Sequence, residues 1–82
     1  MSAGATASPL RQQLVDDAVL AYVDWREECA TVWAAYNLWT SAPREDVRRA
    51  QASYWAALDR EEAAAHLYAN LMKRASELLN QG

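Results

Sequence analysis

The stretch Tyr36-Asn37-Leu38-Trp39-Thr40-Ser41-Ala42-Pro43-Arg44-Glu45-Asp46-Val47 decides the fold, because it holds the only strong break in the middle of the chain. Proline has no amide hydrogen and pushes the residue before it out of the helical region, yet it is well suited to open a helix. A helix arriving from the N-terminal side therefore ends near Thr40, the chain turns over about residues 40–43, and a second helix starts at about Pro43.

On the N-terminal side of that break, Val15, Ala18, Tyr22, Trp25, Cys29, Val32, Tyr36 and Trp39 recur at alternating spacings of three and four. That rhythm lays one continuous apolar stripe along a helix, and no strand produces it. Ser8 followed by Pro9 supplies a start signal, a hydroxyl able to accept from an orphan amide and a proline that loses no hydrogen bond. Helix 1 is expected over about 9–40, after a flexible tail over 1–8. On the C-terminal side, Val47, Ala50, Tyr54, Ala57, Glu61, Ala64, Tyr68, Leu71, Ala75 and Leu78 keep the same rhythm. Helix 2 is expected over about 43–80, fraying near Asn80.

The predicted fold is all-α: two long antiparallel helices joined in a hairpin, each roughly 45 to 55 Å long at 1.5 Å per residue. Two helices side by side leave part of each wide apolar face in water. Helix 1 is apolar over more than one face, with Leu14, Val19, Leu20, Val23, Trp33 and Leu38 outside the stripe, and Trp55 sits beside the stripe of helix 2. Four Trp and four Tyr with no Phe is the aromatic choice of surfaces that become buried while keeping polar handles. The expected solution is a homodimeric four-helix bundle, with Trp25, Trp33, Tyr36, Trp39, Tyr54, Trp55, Tyr68 and Leu71 at the interface with the second copy or with a protein partner.

Composition narrows the function. The chain has 82 residues and 52% hydrophobic residues, enough for one domain that folds alone or in company. A net charge of −3 and a pI near 4.9 argue against nucleic-acid binding, and the Arg44, Arg48, Arg49 cluster is interleaved with Glu45 and Asp46 as in a solvated helix face. The longest uncharged run, Cys29 to Pro43, is too short to span a bilayer. The opening MSAGATAS has no basic or apolar segment of a secretory signal, and the lone Cys29 reads as a small buried hydrophobe of a reducing, cytoplasmic setting.

No catalytic constellation or cofactor-binding motif is present: there is no phosphate-cradling glycine loop, and one histidine stands without a nucleophile or a second base. Glu61 is the position that asks for an explanation, since a carboxylate on the core stripe between Tyr54 and Tyr68 needs a partner. Folding about Ala42 sets it near Val23 and within reach of Arg26, so an ion pair that fixes register is the expected answer. The alternative gathers Glu61, Glu62 and His66, with Glu27 and Glu28 from helix 1, into a bundle metal site. Ferritin-like proteins build sites of this kind from Glu-x-x-His, whereas Glu62 and His66 are four apart. In shape the hairpin also resembles the type VII secretion proteins of the WXG100 group, which would imply a small secreted hairpin. Their turn carries Trp-x-Gly, however, and here it reads Trp39-Thr40-Ser41, with no tyrosine followed four residues later by Asp or Glu.

Overall fold

The computed structural model describes residues 3–80, which form two helices packed against each other: α1 over Ala3–Ser41 and α2 over Val47–Asn80, linked by a 3-10 turn at Arg44–Asp46. No strand occurs among the described residues. The molecule is a rod of 66 × 18 × 12 Å.

The turn forms as its residue types dictate. The hydroxyls of Thr40 and Ser41 both donate to the Asn37 carbonyl, at 3.1 and 2.7 Å, and the Ala42 amide donates to the Trp39 carbonyl at 3.3 Å. The two hydroxyls thus back-bond onto the last turn, and the Trp39 carbonyl left over at the helix end is satisfied. Pro43 is extended, with φ −60° and ψ 157°. Its carbonyl accepts from the Asp46 amide at 2.8 Å, which starts the 3-10 turn that leads into α2. The second helix consequently becomes α-helical at Val47, four residues later than Pro43.

At the other end α1 differs from expectation, running back to Ala3 with Pro9 inside it. Ala3, Ala5 and Ala7 are strong helix formers, and a proline early in a helix forfeits one amide bond to the turn before it. Residues 1 and 2 of the expected tail lie outside the described residues.

The alternation of three and four is a strict heptad on both helices. Val15, Tyr22, Cys29 and Tyr36 repeat every seven residues on α1, and Val47, Tyr54, Glu61, Tyr68 and Ala75 do so on α2. An antiparallel pair with such a seam supercoils so that the seam stays between the helices. What the seam buries is small. Among the described residues only Ala18, Ala21, Ala35 and Ala57 are buried, and no large side chain is fully enclosed. A methyl removed from water contributes roughly 0.8 kcal/mol, so these four offset the backbone entropy of only two or three ordered residues at about 1–2 kcal/mol each.

Candidate functional site: an aromatic face with two charges

The heptad places two different faces on either side of the seam. One is lined on α1 by Val15, Val19, Tyr22, Trp33 and Tyr36, and on α2 by Tyr54, Tyr68, Met72 and Ala75. The other carries Asp17, Asp24, Leu67 and Leu71 and, nearer the turn, Leu38, Asp46 and Arg49. On this second face Arg60 Nε lies 3.5 Å from Glu28 Oε1, and Arg49 approaches Asp46 at 3.9 Å. This side mixes ion pairs with the exposed Leu20, Leu38 and Leu67.

Across the first face the aromatic side chains form two triads. Trp39 stacks on Tyr54, with ring centroids 5.3 Å apart and planes at 26°, and Tyr36 tilts against Tyr54 at 5.7 Å. Trp25 stacks on Tyr68 at 5.7 Å and 15°, and Tyr22 tilts against Tyr68 at 5.5 Å. The second triad is the first displaced by two heptads along both helices: Tyr36 corresponds to Tyr22, Trp39 to Trp25 and Tyr54 to Tyr68. Fourteen residues make four turns at 3.5 residues per turn, so supercoiling brings both triads to the same face.

Near the turn the triad is extended on both flanks. Trp33 meets Tyr36 edge-on at 6.2 Å and Trp55 tilts against Tyr54 at 6.0 Å. Trp33, Tyr36, Tyr54 and Trp55 thus make one row across the hairpin, with exposures of 66% for Trp33, 41% for Tyr36 and 55% for Trp55. Soluble surfaces seldom leave such a contiguous aromatic area in water.

Of the interface residues expected from sequence, Trp33, Tyr36, Tyr54, Trp55 and Tyr68 come together on this face. Trp25 and Trp39 sit half-buried behind it, between the helices. Leu71 lines the opposite face. Val19, Tyr22 and Met72 belong to the site as well. Tyr22 stood on the stripe and Val19 beside it, and only the pairing across the seam makes them neighbours of Met72.

The expected ion pair between Glu61 and Arg26 does not form. Instead the Trp25 indole N–H donates to Glu61 Oε2 at 2.7 Å. Trp25 stands on the seam and Arg26 one residue off it, so it is the indole that reaches the carboxylate across the seam. The 3-10 turn also moves the fold point past Ala42, and the Tyr22–Tyr68 and Tyr36–Tyr54 pairs set Glu61 near the level of Cys29 rather than Val23. Glu61 Oε1 and the Arg26 guanidinium have no hydrogen-bond or ion-pair partner among the described residues. Along the seam and the heptad positions of Trp33 and Trp55 the charges are these two, with Arg11 near the open end and Arg48 and Glu62 on the flank of α2. Cys29, beside them on the seam, is half-buried rather than enclosed.

Glu62 and His66 are exposed on α2, and Glu61 is turned to the indole. Among the described residues no three of His, Cys, Asp and Glu cluster as a metal-ligating group. No helix among them is long and apolar enough to cross a membrane. Compared with known protein families, curated proteins and solved structures, the chain shows no match.

Proposed function

We propose that this protein is a non-enzymatic helical hairpin that works through protein contact, and that its aromatic face is covered by a second copy in a homodimeric four-helix bundle. The observation that carries the reading is surplus surface. The chain exposes 6290 Å² at 9.2 kDa. A compact monomer of that mass exposes about 4,900 Å². The surplus of about 1,400 Å² exceeds the roughly 800 Å² that each partner contributes to a standard stable interface.

Composition of the face supports the same reading. Interface cores are rich in Trp and Tyr and poor in charge, and their energy concentrates in a few aromatic anchors. The row from Trp33 to Trp55 has that character, whereas the opposite face keeps its own ion pairs. A two-fold dimer is the commonest closed symmetry and doubles the number of helices around one core.

Light scattering over a concentration series tests the proposal. A particle of twice 9.2 kDa that shifts toward the single-chain mass on replacing Trp33 and Trp55 by alanine is the expected result. A chain that stays at its single-chain mass throughout, and melts cooperatively at a temperature independent of concentration, would overturn it.

A further inference from the structure

Arg26 and Glu61 give the aromatic face a property that its apolar residues do not. Both lie near the mid-length of the paired helices, within about one helical turn of each other in level, on opposite helices of the same face. Each is without an ionic partner among the described residues, and Glu61 Oε1 still lacks a donor while Oε2 holds the Trp25 indole. In the open hairpin water serves both. Once the face is covered, each needs a counter-charge, because a desolvated unpaired charge is strongly unfavourable.

A second copy carries both counter-charges, and the symmetry decides whether they meet. Two hairpins can be laid face to face by a two-fold axis along the rod, which keeps both turns at the same end and sets α1 of each copy over α2 of the other. They can also be related by an axis across the rod, which sends the turns to opposite ends and sets α1 over α1 and α2 over α2. With the paired helices fully overlapped, the second operation brings Arg26 over its own symmetry mate and leaves the two Glu61 about 10 Å apart along the rod, each without a cation opposite. The first brings Arg26 to within about one helical turn of Glu61, twice. Isologous interfaces must be complementary to themselves, and the charge pattern meets that requirement under the axis along the rod alone.

We infer that the two hairpins associate with their turns at the same end, locked by a reciprocal ion pair between Arg26 of each copy and Glu61 of the other. The inference rests on the self-association proposed above. Volume argues the other way, since turns at the same end put both aromatic rows in one layer while opposite ends distribute them. Charge outweighs it: aromatic rings can re-pack by sliding past one another, but like charges opposed at the centre of a dry interface have no such relief.

Spin labels at the turn decide the matter, with Arg44→Cys in a Cys29→Ser background and the mass measured on the same sample. Labels within about 30 Å of each other, as adjacent turns in a bundle with axes 8–10 Å apart require, support the inference. Labels about 50 Å apart, the length of the paired helices, overturn it and leave the dimer standing. A single-chain mass with no distance between copies overturns the self-association with it. A charge test then reads the pair: Arg26→Glu and Glu61→Lys each weaken dimerisation about tenfold or more, and mixing the two variants restores it as a heterodimer. Glu61→Gln, which keeps an acceptor for Trp25, separates loss of charge from loss of fold. Single variants that dimerise as tightly as the parent chain overturn the ion pair.

Discussion

The two aromatic triads share one geometry and differ in what surrounds it. Near the turn, Tyr36, Trp39 and Tyr54 are flanked by Trp33 and Trp55, and Val47 stands where a carboxylate would be. Two heptads away, Tyr22, Trp25 and Tyr68 are flanked by Val19 and Ala69, and the counterpart of Val47 is Glu61, which takes the Trp25 N–H at 2.7 Å. The stacked Trp–Tyr pair common to both is what joins the helices. The additions are local: an apolar flank extends one triad outward, and a carboxylate ties the other inward through the Trp25 N–H.

The largest effect expected from this comparison is loss of the shared element. Trp25→Ala and Trp39→Ala each cost about 3 kcal/mol of stability, the lower end for a large aromatic because both are only half-buried. Trp25 costs about 1 kcal/mol more, since its removal also leaves Glu61 without its donor. Urea denaturation of both variants measures the difference, and equal losses would break the distinction between the triads. Next come the flanks: Trp33→Ala and Trp55→Ala each weaken self-association by about 2 kcal/mol, near 30-fold. Val19→Ala, the counterpart of Trp33, changes it by under about 1 kcal/mol. Sedimentation equilibrium reads both.

A smaller effect is expected for Glu61→Val, which makes the distal triad resemble its counterpart near the turn. The lost hydrogen bond is partly offset by apolar contact, for a net change of about 1 kcal/mol, with a shift in Trp25 fluorescence. The least is expected at the ion pair on the opposite face. Arg60→Ala removes the 3.5 Å ion pair with Glu28, and since both side chains are partly solvated, stability changes by no more than about 0.5 kcal/mol. A larger loss would mean that this pair helps hold the two helices together.

Much of this was legible before any coordinates. The seam residues followed from their spacing, the turn from Pro43 with Thr40 and Ser41 before it, and the unpartnered character of Trp33 and Trp55 from their place beside the stripe. The doubled triad was visible in principle as two Tyr-x-x-Trp pairs fourteen residues apart, with Tyr54 and Tyr68 at the same interval. What misled was the pairing level. A turn centred on Ala42 sets Glu61 at Val23, whereas with the 3-10 turn at Arg44–Asp46 it lies near Cys29 and takes the indole of Trp25 from the seam.

The sequence by itself determined the helices, their apolar faces and the place where the chain reverses, because each depends on residues within a few positions of one another. Only the tertiary structure decided that Glu61 accepts from Trp25, that Trp33 and Trp55 end one aromatic row, and that Leu71 faces away from it. Those outcomes depend on the axial register of two helices whose partners are dozens of residues apart. A shift of two residues in the turn slides one helix by about 3 Å along the other, enough to exchange every cross-helix neighbour while leaving the heptad pattern unchanged.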